Sequence, residues 1–472
     1  MANLTKPLTE GWLYSLKKNT PTTTNDSPNY WASDASNLIT TSQPLFFSLG
    51  TGSQILTSTL RKCEETTHEL IIVTCFWAKS VSQEQISSLL QKLSAKGLAQ
   101  NRKINVRLCF SSRSITQKLF QTSSLNGKIY PPSTWFDLGL PTPEDLTGLE
   151  MEVKSVFVRP FSVMHPKFIL VDRKLAFMPS CNVSWENWFE GCIEMRGGIT
   201  EKLFDFWVAF WAQGKTDLPA FLPTDNDFES TNVPTAGPDT ATKPAPTQLI
   251  TQTNFPNSLP PPQTILIPSS HHFNPRFLIL STPNPPPTPL NTFLLQAFSH
   301  AASTIYIQTP NLTCFPVITA LHSALFRGVD VHLVTSSRLM ILEQLVTAGT
   351  ITEFEIWKLR RWYKKVCGKR NKQVDLERGE NKVGGLKIGY YHPREGRLGE
   401  EEPVKSHLKM VIVDEEVTVL GSGNMDRASW YTSQELGVAI FSKEVASEIR
   451  RDVNVGLEGR VNYEEAPMYS IR

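Results

Sequence analysis

An excess of either charge is missing from this sequence: 47 Lys and Arg stand against 45 Asp and Glu, a formal net charge of +2. So even a balance excludes a strong global pull on nucleic acid or anionic membrane and leaves any such role to local basic patches. Cysteine is scarce and unpatterned. The seven cysteines (63, 75, 109, 181, 192, 314 and 367) are odd in number and lack metal-ligand spacing, so free thiols in a reducing compartment are expected. No apolar run approaches the roughly 20 residues of a membrane span. The opening Met-Ala-Asn-Leu-Thr-Lys lacks the basic-then-apolar layout of a secretory signal, and there is neither a Gly at position 2 nor a C-terminal prenylation cysteine. A cytoplasmic protein is expected, with peripheral membrane contact left open. Clustered carboxylates that would hold a metal are absent too, and no cofactor is implied.

What is present suffices for two globular units or one large duplicated unit: 472 residues, of which 40% are hydrophobic and 19% charged. Proline is concentrated in one place. Residues 219–289 hold 17 of the 33 prolines, mixed with Thr, Asn and Ser, and read as a largely irregular linker. Within it the apolar Phe277-Leu-Ile-Leu280 is a candidate strand. The expected organisation is an N-terminal extension over 1–40, a first lobe over 41–218, the linker over 219–289, a second lobe over 290–458 and a tail over 459–472.

The two halves share a motif. His165-Pro-Lys167-Phe-Ile-Leu-Val-Asp172 returns as His407-Leu-Lys409-Met-Val-Ile-Val-Asp414. Ser180 and Ser422 each stand fifteen residues after their His, with Asn182 and Asn424 two further on. An acid follows at nearly equal distance, Glu194 twenty-nine residues after His165 and Glu435 twenty-eight after His407. The apolar runs are too short for helices and rich in branched residues, so they predict central strands. On a strand, residues two apart share a face, which explains the His-x-Lys spacing. Short strands at 175–178 and 417–421 then return Ser and Asn to the same edge.

Upstream, each half predicts strand, helix, strand: 69–77, 82–95 and 104–110 in the first; 303–308, 317–327 and 328–334 in the second. Both end in Ser-Ser-Arg, at Arg113 and Arg338. Such βαβ units favour a parallel or mixed sheet covered by helices.

The paired HxKxxxxD motifs, each trailed by Ser-x-Asn, resemble the phospholipase D superfamily. The second copy follows the pattern closely, through Gly421-Ser422-Gly-Asn424, Arg427 and Glu435. The first departs from it, with Pro166 between His and Lys and Pro179 before Ser180, which predicts an edge or bulge there. The resemblance implies an α/β, duplicated two-lobe phospholipase D-like fold, each lobe a mixed sheet flanked by helices, with the active site at the lobe interface. It implies a catalytic set of His165, Lys167, His407, Lys409, Asp172 and Asp414, with the two Asp anchoring strand ends. Asn182 and Asn424 are expected to bind phosphate, Ser180 and Ser422 either to assist in binding it or simply to close the turn, and Glu194 and Glu435 to orient the His rings. It also implies His165 as nucleophile and His407 as acid and base.

The implied chemistry suits the side chains. A phosphodiester is anionic and resists attack, so its oxygens must be neutralised while a nucleophile and a leaving-group acid are supplied. Two Lys and two Asn make the cradle, one His forms a phosphohistidine and the other protonates the leaving alcohol; this needs no metal. The expected activity is that of a phosphodiesterase or phosphatidyltransferase exchanging phospholipid headgroups. A nuclease or nucleic-acid phosphodiesterase on the same fold and an inactive lipid-binding scaffold stay open. The tyrosyl-DNA phosphodiesterase branch, whose motifs typically lack the Asp, fits less well. The stretch Lys358–Lys372 carries eight basic residues and no acid. It reads either as a solvated helix face or, over 357–372, as a contact with anionic membrane or nucleic acid. The aromatic run 204–211 has the spacing of a core helix. Trp185-Glu-Asn-Trp188-Phe189 suits either a substrate pocket or core packing. Two motifs in one chain point to a monomer.

Overall fold

Helical and strand periods alternate along the chain as expected, and they fold into two copies of one unit. The computed structural model describes residues 4–23, 31, 33–113, 126–158, 162–212, 248–270, 284–374, 383–394 and 402–463. After α1 (Thr5–Thr23) come β1 (Ile39–Gly50), α2 (Gly52–Cys63), β2 (Glu69–Phe76), α3 (Val81–Ala99), β3 (Ile104–Ser112), β4 (Lys128–Tyr130) and β5 (Leu149–Ser155). A small hairpin, β6 (Phe157–Val158) and β7 (Ser162–Val163), leads to β8 (Phe168–Val171), β9 (Leu175–Pro179), β10 (Trp188–Gly197) and α4 (Gly198–Phe210). The chain continues through β11 (Thr251–Asn254), β12 (Gln263–Ser269), α5 (Pro289–His300), β13 (Thr304–Thr309), α6 (Phe315–Arg327) and β14 (Asp330–Ser336). Then follow α7 (Ile341–Ala348), α8 (Thr352–Val374), β15 (Leu386–Tyr391), β16 (Lys405–Ser406), β17 (Met410–Val413) and β18 (Val417–Gly421). The last elements are α9 (Arg427–Tyr431), β19 (Glu435–Phe441), α10 (Lys443–Gly456) and β20 (Val461–Asn462).

The sheet order is the same in both halves. The first runs β1-β10-β9-β8-β2-β3-β5-β4 and the second β12-β19-β18-β17-β13-β14-β15-β20. In each, three strands linked by crossovers are parallel and those around the motif are antiparallel, which makes the sheets mixed. The two sheets join where Ile39–Thr41 of β1 pairs with Gln263–Ile265 of β12. Strands β8 and β17 are fully buried and lie between two neighbours, as their apolar runs predict.

Local signals place the helices. Thr51 and Gln54 form a reciprocal capping box at the start of α2, Ser80 caps α3, and Thr288 caps α5 with Pro289 in its first turn. Gly328 ends α6 with φ of 96°, a conformation that favours glycine. One apolar core lies between α2, α3 and the first sheet. A larger one runs through both lobes and takes in Phe206, Trp207, Phe210 and Trp211, so the aromatic run is a core helix.

Two boundaries differ from the sequence expectation. Part of the 1–40 extension belongs to the core: Trp12 of α1 is fully buried, meets Phe293 edge to face at 6.1 Å and donates from Nε1 to Pro289 O at 3.0 Å. Part of the 219–289 segment is sheet. Gln-Thr-Ile-Leu-Ile over 263–267 has the branched apolar character of a strand, and burial between β1 and β19 outweighs the surrounding prolines. The expected strand at 277–280 lies outside the described residues. Among the described residues no helix is long and apolar enough to cross a membrane.

Candidate active site

Both His-x-Lys motifs lie in extended chain just ahead of their strands, because β8 begins at Phe168 and β17 at Met410. Each is held by the opposite lobe. His165 N donates to Gln434 O and His407 N to Phe189 O, both at 2.9 Å. Leu408 N also donates to Phe189 O at 3.1 Å, a bond that Pro166 cannot copy for want of an N–H. The expected irregularity at Pro166 is thus one missing bond. Pro179 still pairs opposite Cys192 at the end of β9. Its counterpart Gly421 could carry no side chain, since a Cβ would lie 2.4 Å from Leu436 O.

These backbone pairings bring each His to an acid of the other lobe. His165 Nδ1 donates to Glu435 Oε2 at 2.8 Å, and His407 Nδ1 donates to Glu190 Oε1 at 2.7 Å. The Glu194 expectation is therefore corrected to Glu190. Residues 190 and 194 share a face of β10, but four residues of strand separate them by roughly 13 Å. Glu194 pairs instead with Lys62 at 2.5 Å.

The two serines also differ from expectation. Ser180 Oγ donates to Glu190 Oε2 and accepts from Gly191 N at 2.9 Å. Ser422 Oγ donates to Glu435 Oε2 at 2.5 Å and accepts from Leu436 N at 3.0 Å. Both hydroxyls are thus engaged in fixing the acids rather than turned to a phosphate. Asp172 and Asp414, grouped with the catalytic residues by the motif, sit at the far ends of their strands. Asp172 accepts from the backbone of Thr67, His68 and Glu69 at 2.7–2.8 Å. Asp414 accepts from Ala302, Ser303 and Thr304, each at 2.8 Å. Their carboxylates anchor the start of the neighbouring strand, a structural task.

Lys167 and Lys409 are buried, and each donates to its own His carbonyl, at 2.9 and 2.7 Å. Among the described residues neither forms an ion pair within 4 Å. A buried ammonium without a counter-ion is costly, and burial pushes Lys409 down to about 7. Asn182 and Asn424 each keep a buried Oδ1 without a partner.

Burial also pushes both imidazoles below their ordinary value against the pull of their acids, His407 to about 3. Lys409 adds to the shift of His165 and Lys167 to that of His407, so the two half-sites lie within electrostatic reach of each other. Burial opposes ionisation of Glu190 and Glu435, but the facing His, the Ser hydroxyl and the nearby lysines outweigh it and hold both carboxyls below their ordinary value. An ionised acid accepting from Nδ1–H leaves Nε2 of a neutral ring with its lone pair free.

Two positioning residues escaped the sequence reading. Ser111 Oγ accepts from Met164 N at 2.9 Å, and Ser336 Oγ accepts from Ser406 N at 2.9 Å. Each is the first serine of a Ser-Ser-Arg ending and holds the residue just before the motif His. The repeated tripeptide was the signal. Of the aromatic run after Asn182, Trp188 lies against the His407 ring at 4.5 Å between centroids, Phe189 is core, and Trp185 is exposed.

Residues 294–455 match the family described as cardiolipin synthase, phospholipase D-like domain. No curated protein matches the chain's sequence. The crystal structure of phosphatidylserine synthase from Haemophilus influenzae Rd KW20 is similar at 12% identity, over 96% of this chain and 94% of that one, with a TM-score of 0.53. That likeness is one of fold. Nuc from Salmonella typhimurium, a phospholipase D family member, aligns over 43% of this chain and 99% of its own at 18% identity, with a TM-score of 0.27, too partial a likeness to bear on the site.

Proposed function

We propose that the chain is a phospholipase D-type enzyme that cleaves or exchanges phospholipid headgroups through a covalent phosphohistidine, a reading supported by the match of residues 294–455 to a phospholipase D-like domain. The observation that carries this reading is the crossed arrangement of two His–Glu pairs around two buried lysines without ion-pair partners. Such a site suits an anion: a diester would supply the direct ion pair that Lys167 and Lys409 lack, and the Asn182 and Asn424 amides add polar contacts.

In this reading His165 Nε2 attacks phosphorus, the P–O bond to the leaving alcohol breaks, and His407, protonated once the anion is bound, gives that oxygen its proton. His407 then takes a proton from water or an acceptor alcohol, whose oxygen attacks phosphorus and releases His165. The assignment of roles is supported by exposure: the His165 side chain is 14% exposed and that of His407 only 4%, and Trp188 covers the latter. The more accessible ring suits the nucleophile.

Headgroup release from phosphatidylcholine vesicles, run beside cleavage of single-stranded oligonucleotides, tests the reading. Lipid turnover is expected, with an acid-labile phosphoprotein, and His165→Asn and His407→Asn should each abolish it. Full activity in either variant would sink the shared site, oligonucleotide cleavage alone would make it a nuclease, and no turnover of either would favour a scaffold.

A further inference from the structure

We propose that α7 and the first turns of α8 form a docking surface for an anionic phospholipid bilayer at the rim of the site; this rests on the lipid reading of the substrate. Helix α7 is inverted. Its polar Gln344 is 2% exposed, donating to Leu339 O at 2.6 Å and accepting from Thr352 N and Oγ1, both at 2.8 Å. Its apolar side chains point outward: Leu342 is 80% exposed, and Leu345 and Val346 are exposed beside it. A surface helix of a folded protein ordinarily does the reverse, and a contiguous exposed apolar face marks an interaction site.

The surface continues onto α8, which the Gln344–Thr352 bonds join to α7. Phe354 and Trp357 are exposed and stack at 5.6 Å between centroids, while Ile356 and Leu359 of the same turns are buried in the core. Cations follow on the outer side. Lys358 Nζ lies 5.0 Å from the Phe354 ring and Arg361 lies 5.3 Å from that of Trp357, with Lys364 and Lys365 exposed beyond. Acids of this stretch are Glu343, Glu353 and Glu355, and Glu355 is buried against Lys358 at 2.6 Å. Apolar and aromatic groups edged by Lys and Arg match the boundary between acyl chains and acidic headgroups.

Position agrees with the task. The chain enters α7 directly from Ser336-Ser337-Arg338. Ser336 holds Ser406, the neighbour of His407, and Lys405 Nζ donates to Ser337 O at 2.8 Å. A bilayer on α7 would therefore lie beside the second half-site, so that a headgroup need travel only a short way.

Co-sedimentation of the full chain with vesicles of phosphatidylcholine and phosphatidylglycerol, or of phosphatidylcholine alone, tests this. Binding should favour the anionic vesicles. The triple variant Leu342→Ser/Leu345→Ser/Val346→Ser should weaken it at least tenfold, with an unchanged thermal midpoint because these side chains are already exposed. Lys358→Gln/Arg361→Gln should weaken anionic-vesicle binding by about fivefold per charge, which reads the surface independently should the triple variant misfold. Wild-type binding in both variants would overturn the proposal. So would a wild-type dimer that the triple variant splits, or oligonucleotide binding through these cations without vesicle binding. Vesicle binding that depends on α7 but with no phosphodiester turned over would leave the surface standing and remove the catalytic reading. Undiminished vesicle turnover by the triple variant would do the opposite.

Discussion

Glu190 of the first lobe accepts a hydrogen bond from Nδ1 of His407 in the second, at 2.7 Å, and the relation is mirrored by Glu435 and His165. Neither lobe can orient its own His. The crossing follows from backbone pairing: Phe189 and Gln434, each just ahead of an acid, are the residues that bind the motif His of the opposite lobe. A site assembled this way exists only when both lobes are folded and in register.

Glu190→Gln should therefore lower turnover by about a hundredfold or more, since a neutral amide cannot stabilise the protonated ring as the carboxylate does. Glu194→Gln should leave kcat close to wild type. Steady-state kinetics on the two variants check this, and equal losses would return the orienting role to Glu194.

Anion binding should depend on pH through Lys409, which burial holds at about 7. The protonated ammonium attracts the anion, so the affinity for inorganic phosphate or tungstate should fall as pH rises through 7, and binding near neutrality should take up protons. Calorimetry in buffers of different ionisation enthalpy reads both effects. Lys409→Gln should remove the proton uptake.

Acid should destabilise the fold through His407. Its folded value of about 3 lies below the ordinary 6.5, so between these values the unfolded chain binds the extra proton and stability is lost as pH falls. Glu190, held below its ordinary value, acts in the same direction: its contribution is present above the unfolded value and lost as pH falls. The thermal midpoint should fall from pH 6.5 towards 4, and His407→Gln should flatten that slope.

Ser336→Ala would leave Ser406 N, a buried donor, without its partner, and should cost about 1–3 kcal/mol of stability. Because the bond also positions His407, kcat should fall more than KM changes. Denaturant titration and kinetics separate the two effects.

Trp12→Ala should cost about 3–5 kcal/mol by denaturant unfolding, because the indole is fully buried against α5. A loss below about 0.5 kcal/mol, typical of surface positions, would restore the reading of residues 1–40 as a mere extension.

Much of the arrangement is legible in the sequence. The repeated strand–helix–strand units, the motif strands and the core character of residues 204–211 rest on periodicity within a few residues. The strands 149–155 and 386–391 are not evident from the sequence, because each lies beside a long polar stretch of sequence and its own apolar run is short. Residues 263–269 were read as linker, since prolines on both sides masked a strand defined only by its two neighbours.

The matched spacing pointed to the wrong acid for a physical reason. From Ser180 to Glu190 is ten residues and from Ser422 to Glu435 is thirteen, because the second lobe inserts the short helix α9 between them. Equal distance from the His therefore selected Glu194, two pleats too far along β10.

The sequence by itself determined that a motif is repeated and that each copy sets its His and Lys on one face, because a two-residue spacing on extended chain does so whatever surrounds it. Only the tertiary structure decided which acid serves which His, what the Ser-Ser-Arg endings hold, and that α1 and β12 belong to the core. The His–Glu bonds span 217 and 270 residues of chain. No local period encodes such distances; the burial of paired strands from both lobes selects them.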